Sequence, residues 1–355
     1  MSSMILGKNI KVSIFGQSHS NAIGAVVDGL ESGIKLDFDK IYALMNRRAP
    51  GQNLYSTARK EADLPKILSG VVDGITCGAP LAFMIENTDT RSNDYDNIRD
   101  VMRPSHSDYP AFVKYNGFND VSGGGHFSGR LTAPLCFVGA ICMQILNEKG
   151  IEIKSHIYSI GDIYDTPFDY VNITNENISA KDFPVINDEI GDKMKILIEK
   201  ERLNVNSVGG VIECAAVNMP AGIGEPMFDG IENLIAKNIF GIPAVKGIEF
   251  GSGFFGSTQT GSQNNDEYYI DSGAVKTKTN NHGGILGGIT TGMPIAFKVA
   301  IKPTATISRT QQSVNVKTME NTEILIKGRH DPCIVPRAVP VVEAVTAITL
   351  ADLVL

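Results

Sequence analysis

The longest apolar stretches of the chain predict two central helices and strands that cover them. The segments Thr132–Lys149 and Val339–Leu355 are apolar on nearly all sides, which is typical of helices inside a protein core. The segments VGGVIECAAV (208–217) and MPIAFKVAI (293–301) alternate or run apolar between glycines, as strands do. The pattern favours sheets that cover the helices over a doubly wound parallel sheet. The predicted fold class is therefore α+β, with central apolar helices between antiparallel β-sheets.

The chain also contains an internal repeat. Three pairs of segments correspond in the same order: GITCGAPLAF (74–83) with GITTGMPIAF (288–297), FDKIYALM from Phe38 with FDGIENLI from Phe228, and GRLTAP (129–134) with PRAVP (336–340). A repeated order of motifs indicates duplication of a structural unit. We predict one domain over residues 1–355, built from two pseudo-repeated halves at about 10–150 and 205–355.

An amphipathic helix is predicted near the start of the first half. Either Asp37 or Asp39 can cap it, its apolar residues fall on one face, and it runs through Arg47 until APG ends it. Its last turn presents Arg47 and Arg48 side by side. The end of this helix therefore presents two positive charges at a fixed position.

Composition and charge narrow the function classes. The 355 residues are 43% hydrophobic, enough for a large core, and the net charge of -7 argues against general affinity for nucleic acid or anionic membranes. No run of about 18 apolar residues predicts a membrane span, and no signal peptide is evident, so we expect a cytoplasmic protein. Five scattered cysteines without metal-site spacing predict reduced, mostly buried thiols and no metal.

Basic residues cluster beside glycine, proline or histidine. The six places are NRRAPGQ, MRPSHSDY, GGGHFSGR, IKPTAT, KGRHDP and VPRAVP. Glycine lets backbone N–H groups approach an anion, and the arginine guanidinium offers a planar fork of donors. The combination favours a local site for phosphate or carboxylate.

Histidines in polar loops are the candidate acids and bases. They are His19, His106, His126, His282 and His330, whereas His156 lies in an apolar context. His19 follows glycine and serine at a predicted strand end, and His106 lies near Arg103 and Asp108. Either could donate a proton to a departing phosphate or contact a cofactor anion, with Asp331 as the candidate carboxylate. The motifs of P-loop, dinucleotide-binding, HExxH and GxSxG proteins are absent from the sequence.

Three long motifs resemble the signature regions of the chorismate synthase family. They are FGQSHSNAIGAVVDGLESG, GGGHFSGRLTAP and GRHDPCIVPRAVPVVEA, and shorter motifs such as RRAPGQ, RPSHSDY, NNHGGILGGITTG and KPTAT follow the family order. The resemblance covers essentially the whole chain. It implies an anti-1,4-elimination that converts 5-enolpyruvylshikimate 3-phosphate to chorismate and phosphate, with reduced FMN and no net redox change. It also implies a homotetramer, and NADPH would be used only indirectly, to reduce the flavin.

The resemblance implies roles for individual residues. His19 would protonate the leaving phosphate, His106 would keep the reduced flavin in its proper protonation state, and Asp331 would assist proton transfer at flavin N5. The residues implied in substrate binding are Arg48, Arg103, Arg130 and Arg337. The residues implied in flavin binding are His126, Phe127, Ser128, Pro243, Ala244, Gly287, Lys302, Pro303, Thr304, Ala305, Thr306 and Arg329.

The sequence departs from the family pattern at five positions, which are Gln17, Ser20, Leu54, His126 and Phe127. The last two replace a basic residue and a serine, so flavin contact there would rely on stacking or backbone groups. At Leu54 an anion contact of many relatives is lost or is supplied by another residue, such as Arg59. Two alternatives remain open here: an FMN-dependent oxidoreductase and a non-catalytic flavin- or anion-binding protein. An external flavin reductase is the expected source of reduced FMN.

Overall fold

The apolar helices lie between two antiparallel sheets, as the sequence predicts. The protein is described here by a computed structural model covering residues 4–51, 63–88, 99–174, 178–326 and 331–355. One core joins both sheets to the helices, and a close ring contact of 4.1 Å between Phe83 and Phe137 is an example. The α+β class and the antiparallel sheets around central helices are confirmed.

The described helices are α1 (Phe38–Arg48), α2 (Asp108–Lys114), α3 (Thr132–Glu148), α4 (Asp188–Leu203), α5 (Ile231–Ile239), α6 (Gly253–Gly256), α7 (Gly261–Asn264) and α8 (Val335–Val354). The strands of the first half are β1 (Ile5–Leu6), β2 (Lys11–Gly16), β3 (Ala22–Asp28), β4 (Pro65–Ser69), β5 (Val71–Val72), β6 (Ile75–Thr76) and β7 (Leu81–Glu86). The later strands are β8 (Glu152–Ile160), β9 (Ile163–Tyr164), β10 (Gly210–Val217), β11 (Val245–Phe250), β12 (Tyr268–Asp271), β13 (Ala274–Thr277), β14 (Ile285–Leu286), β15 (Ile289–Thr290), β16 (Ile295–Ile301), β17 (Gln311–Asn315) and β18 (Glu320–Ile324).

The two large sheets have matching strand orders. The first is β1-β2-β3-β7-β4, and the second, read from its β9 edge, is β9-β8-β10-β16-β11. The connections match too: α1 and α5 follow β3 and β10, the hairpins β5–β6 and β14–β15 precede β7 and β16, and α3 and α8 come after them. The repeated motifs thus fall on equivalent elements, and the half boundaries at about residues 150 and 205 remain a prediction.

Helix α1 begins and ends close to the predicted positions. The carboxylate of Asp37 accepts the backbone N–H of Lys40 at 3.2 Å, so Asp37 is the cap. The helix ends at Arg48, one residue later than the sequence indicates, before Ala49 and Pro50. Arg48 is buried together with Ala49, although it is charged and follows another arginine.

Helices α3 and α8 run parallel in close contact. The Cys136 thiol lies 3.9 Å from the Pro340 carbonyl oxygen, and a Cβ added at Gly139 would lie 2.3 Å from the Cβ of Ala344. The contact of Gly139 with Ala344 lies further toward the C-terminal end of both helices than the contact of Cys136 with Pro340. The starts of α3 and α8 are therefore at the same end of the core.

Helix α8 begins four residues before the predicted Val339, at Val335. Pro336 is tolerated there because the first N–H groups of a helix have no intrahelical partner. Arg337 consequently lies inside the first turn of α8 instead of ahead of it.

The apolar character of α3 reflects burial in the core. The segment Gly129–Glu148 is long and apolar enough to cross a membrane, but 83% of its most apolar 18-residue stretch is buried inside the protein. All five cysteines are free, and four of them are buried. The prediction that most thiols are buried is confirmed.

The apolar surroundings predicted for His156 are wrong. Its Nδ1 lies 3.2 Å from the carboxylate of Asp165, which follows β9, and its Nε2 lies 2.9 Å from the carboxylate of Glu213 on β10. Burial alone would lower the pKa of His156, but hydrogen bonds to the two carboxylates raise it above its usual value. A raised pKa adds stability that is complete below the unfolded-state pKa and is lost as the pH rises through the folded-state pKa.

We predict that Gly139→Ala destabilises the protein by about 1 to 3 kcal/mol, because the new methyl group would overlap Ala344 on α8. Alanine favours helix formation over glycine, so helix propensity alone predicts the opposite sign. Chemical denaturation measures the difference. The matched control is Gly261→Ala, where an added Cβ meets no atom within 4 Å. Equal stability of the two variants would contradict the close helix contact.

Candidate active site

Two buried arginines meet at one carboxylate where α1 ends and α3 begins. Arg48 donates from Nη1 to Asp63 Oδ2 at 2.5 Å, and Arg130 donates from Nη1 to Asp63 Oδ1. The Arg48 Nε donates to Thr132 Oγ1 at 3.1 Å. Arg48 and Arg130 are 3% and 4% exposed, so solvent has little access to either side chain.

The second half adds a third arginine to this cluster. Arg337 donates from Nε to the Arg48 carbonyl oxygen at 3.1 Å and from Nη1 to Asp331 at 2.8 Å. The parallel contact of α3 and α8 explains why residues so far apart in sequence meet here. We call Arg48, Arg130, Arg337, Asp63 and Asp331 the arginine cluster.

The starts of α3 and α8 both belong to this region. Their cap positions, Leu131 and Ile334, provide no side-chain hydrogen bond to the first turn. A helix start carries unpaired N–H groups and partial positive charge, which favour a bound anion. The two helix ends therefore add to the positive character of the arginine cluster.

The glycine run forms the surface against which His19 lies. Gly123 has φ +61°, and a Cβ added there would lie 2.2 Å from His19 Cε1 and 2.7 Å from Ser18 Oγ. The backbone N–H of Ser18 donates to the Gly125 carbonyl at 3.0 Å. Glycine is needed because the backbone approaches the imidazole directly and adopts a left-handed conformation.

His106 lies at the next glycine of the same run. A Cβ added at Gly124 would be 3.3 Å from its Nε2, while its Nδ1 is 2.6 Å from Asp108 Oδ1. Burial would raise the pKa of Asp108, but hydrogen bonds to Arg103 and His106 hold it well below its usual range. A carboxylate at Nδ1 orients the ring and leaves Nε2 on the side of the glycine run.

Arg103 serves Asp108 in this structure. It donates from Nε and Nη2 to the two carboxylate oxygens at 2.6 and 2.7 Å, and it is buried. The sequence suggested that Arg103 contacts the substrate. In the structure it fixes the carboxylate that orients His106, and its substrate role remains a prediction.

Asn87 connects the arginine cluster with the loop that carries His19. It accepts from Arg130 Nε at 3.0 Å, and its amide donates to the carbonyls of Gln17 and Ser20 at 3.1 and 2.7 Å. The Ser20 hydroxyl also closes the loop on Gln17. The two departures from the family pattern at positions 17 and 20 thus form a hydrogen-bonded turn around His19.

Aromatic side chains follow the glycine run. The rings of His126 and Phe127 are 4.2 Å apart, and Tyr115 meets His126 edge to face at 5.3 Å with a contact of 3.2 Å between Tyr115 Oη and His126 Nε2. Ser128 accepts the backbone N–H of Arg130. This corner can stack against a planar ring.

Residues of the second half reach the His106 loop. Lys302 donates from Nζ to the Ser105 carbonyl at 2.5 Å, and its backbone N–H donates to the Ala244 carbonyl at 3.0 Å. Burial, with Lys246 nearby, lowers the pKa of Lys302. Lys302, and through it Ala244, therefore lies beside the loop that carries His106.

Two buried hydroxyls fit a polar ligand in this region. Ser18 Oγ and Thr304 Oγ1 have no hydrogen-bond partner within the described ranges. Ser18 lies beside Gly123, and the Thr304 carbonyl accepts from Ser207 at 2.8 Å. Buried polar atoms are normally paired, so unpaired ones are consistent with a bound group that supplies partners. The residues fit a flavin in this respect.

Some expected residues are not joined to the site. Gly287 lies in the turn between β14 and β15, and no hydrogen bond among the described residues links it to the arginines or histidines. Arg329, His330, Leu54 and Arg59 fall outside the described residues. Their predicted roles are unaffected by the geometry above.

Sequence reasoning missed Asp63 and Asn87. Asp63 belongs to the polar stretch EADLP and Asn87 to IENTD, and neither stretch differs from an ordinary solvated loop. Only the folded chain places them against arginines from other segments. Asp108 was noticed as a neighbour of His106, but its bond to Arg103 was not predicted.

The described residues contain no group of His, Cys, Asp or Glu side chains suited to a metal ion. A cleft of about 1080 Å³ is lined by Met143, Asn147 and Gly150 among others, at the far end of α3 from Arg130. Its lysines, Lys154 and Lys276, are paired with acidic residues. We therefore assign the candidate active site from its arginines and histidines, because this cleft lies elsewhere.

The chain is similar to chorismate synthases along nearly its whole length. The family model for chorismate synthase matches residues 10–355. Chorismate synthases from Dehalococcoides mccartyi, Korarchaeum cryptofilum and Lachnoclostridium phytofermentans are 45%, 44% and 48% identical over 99%, 98% and 100% of this chain and 96% of each relative. A crystal structure of chorismate synthase matches with a TM-score of 0.77 and 29% identity, over 98% of this chain and 92% of that chain.

We predict that Gly123→Ala lowers the turnover of this protein by about 100-fold in a chorismate synthase assay. The reason is that the new Cβ would displace the His19 ring. The matched control in the same loop is Gly129→Ala, where an added Cβ meets no atom within 4 Å. Turnover and melting temperature should be measured for both variants. Equal turnover would show that the contact between the glycine run and His19 does not matter for the reaction.

Proposed function

The chain belongs to the chorismate synthase family, and we propose that Arg48, Arg130 and Arg337 bind its substrate beside two acid-base histidines. The protein is a carbon–oxygen lyase of the shikimate pathway, which leads to the aromatic amino acids. It converts 5-enolpyruvylshikimate 3-phosphate to chorismate and inorganic phosphate. The alternative of a non-catalytic binding protein is thereby set aside.

The convergence of three arginines from both halves supports the substrate site most strongly. The substrate carries a phosphate and two carboxylates, and guanidinium forks match such groups in charge and shape. The chain as a whole has a net charge of -7, so its attraction for anions has to be local. We propose that the phosphate and carboxylates are bound between the arginine cluster and the starts of α3 and α8.

His19 is proposed as the acid for the leaving phosphate. In the elimination the carbon–oxygen bond to phosphate breaks, a proton leaves another carbon, and a new double bond forms. Negative charge builds on the departing oxygen, and a protonated imidazole beside the arginines would neutralise it. Support comes from the chain of hydrogen bonds from Arg130 through Asn87 to the loop around His19.

His106 and Asp331 are proposed as the remaining acid-base groups. Asp108 orients the His106 ring and favours a proton on Nδ1, so that Nε2 can exchange a proton on the ligand side. Asp331 is held by Arg337 at 2.8 Å, which places it at the edge of the arginine cluster. Arg103 stays with Asp108, and we propose that it acts on the substrate through the His106 loop.

Reduced FMN is the proposed cofactor. When bound, it supplies an electron-rich ring that stabilises electron-poor substrate carbons, a task for which side chains are poorly suited. The residues proposed to hold it are His126, Phe127, Ser128, Pro243, Ala244, Gly287, Lys302, Pro303, Thr304, Ala305, Thr306 and Arg329. The adjacent rings of His126 and Phe127 and the buried hydroxyl of Thr304 support this assignment.

The proposed setting is a cytoplasmic homotetramer of single-domain chains, each with two halves. Exposed aromatic side chains such as Phe228 and Phe254, 84% and 81% exposed, support contacts with further copies of the chain. The sequence contains no nicotinamide-binding motif, so we propose that an external NADPH-dependent reductase supplies the reduced flavin.

We predict that anaerobic incubation with 5-enolpyruvylshikimate 3-phosphate and chemically reduced FMN yields chorismate and phosphate in about equal amounts. Absorbance follows chorismate and the flavin, and a colorimetric assay follows phosphate. The reduced flavin should be unchanged at the end because the elimination has no net redox change. Stoichiometric flavin oxidation would instead indicate an oxidoreductase, and absence of turnover with correctly folded protein would contradict the proposed cofactor.

A further inference from the structure

Asp63 occupies two of the arginines that are proposed to bind the substrate. Its side chain is 1% exposed, and its two carboxylate oxygens accept from different guanidinium groups, those of Arg48 and Arg130. A ligand phosphate or carboxylate would use the same donors in the same bridging manner. We infer that Asp63 is an internal anion that competes with the substrate for Arg48 and Arg130 and thereby limits the affinity of the site. The inference rests on the substrate role proposed for these arginines.

The charges of the arginine cluster support competition. Arg48, Arg130 and Arg337 contribute three positive charges, and Asp63 and Asp331 contribute two negative ones. Removing the charge of Asp63 would double the net positive charge of these five side chains. Charges interact strongly where burial excludes water, so the Asp63 carboxylate repels a phosphate at short range.

The position of Asp63 in the fold allows its carboxylate to move. Its φ is +48°, in the left-handed region that aspartate adopts more readily than most residues other than glycine. Asp63 precedes β4, which is an edge strand and pairs only with β7 in its sheet. A shift at the end of an edge strand disturbs fewer backbone hydrogen bonds than a shift in a central strand. The competitor is therefore placed where it can move aside for a ligand.

Competition would also help the product leave. Without Asp63, Arg48 and Arg130 would lose the carboxylate that the cluster provides for them and would hold inorganic phosphate tightly after the reaction. Return of Asp63 to Arg48 and Arg130 supplies the two guanidinium groups with a replacement anion. Loss of Asp63 should therefore lower KM and also lower kcat, because release of phosphate becomes slow.

A purely orienting role of Asp63 predicts the opposite effect of its removal on anion binding. If Asp63 only held the two guanidinium groups in place, its removal would loosen them and weaken binding of every anion. Binding of inorganic phosphate to the flavin-free protein separates the two roles, since it requires neither turnover nor cofactor.

The experiment measures the Kd of inorganic phosphate by calorimetry for the wild type, Asp63→Asn and Asp63→Glu. We expect Asp63→Asn to bind phosphate at least about tenfold more tightly, and Asp63→Glu to stay near the wild type because it keeps the charge. Phosphate should raise the melting temperature of Asp63→Asn more than that of the wild type. Glu213→Gln is the matched control, because it also neutralises a buried, hydrogen-bonded carboxylate, one that faces His156.

Unchanged or weaker phosphate binding by Asp63→Asn would overturn the inference. If this variant folds only when purified in phosphate, the anion has replaced the carboxylate, as the inference expects. Failure of Asp63→Asn to fold even at saturating phosphate would contradict the inference.

Arg48→Lys separates this inference from the proposed function. If Arg48→Lys weakens phosphate binding while Asp63→Asn does not strengthen it, only the inference fails. If neither Arg48→Lys nor Arg130→Lys changes phosphate binding, both fail.

Discussion

The parallel contact between α3 and α8 is the constraint on which the site depends. Gly139 lets the two helices approach until Ala344 fills the space that a side chain would occupy, and the Cys136 contact with Pro340 sets the same direction for both. Parallel helices begin at the same end of a core. Arg130, just before α3, and Arg337, in the first turn of α8, are brought together for that reason.

Burial of so much positive charge needs compensation, and the structure provides it from loops and strand ends. Buried arginines are stable only when their donors meet acceptors and their charge meets a carboxylate. Asp63 meets Arg48 and Arg130, Asp331 meets Arg337, and Asp108 meets Arg103. The glycine run then lies against the two histidines, and at Gly123 the backbone is so close to the His19 imidazole that a side chain would not fit.

Much of this arrangement could be predicted from the sequence, because periodic patterns and repeated motifs carry it. The apolar run after Thr132 predicts α3 almost to the residue, and Asp37 caps α1 as expected. The repeat of GITCGAPLAF as GITTGMPIAF falls on equivalent strands of the two sheets. The family motifs point to the arginines and histidines that the fold then brings together.

The rest depends on contacts between segments that have no local signature. Asp63 lies in a polar stretch, and only its position between Arg48 and Arg130 distinguishes it. His156 lies on β8, and its carboxylate partners come from residue 165 and from the neighbouring strand β10, which no local sequence pattern indicates. The apolar run indicates a start of α8 at Val339, but the helix begins at Val335 because its first turn accepts Pro336 and holds the polar residue Arg337.

The most direct test of a single anion site built by both halves is a double-mutant cycle on Arg130→Lys and Arg337→Lys. Lysine keeps the charge but lacks the fork of donors, so each variant should weaken binding of 5-enolpyruvylshikimate 3-phosphate by about 1 to 3 kcal/mol, measured by calorimetry. If the two arginines hold one ligand, the loss in the double variant should differ from the sum of the single losses by more than about 0.5 kcal/mol. Additive losses within that margin, or normal binding by both single variants, would contradict the shared site.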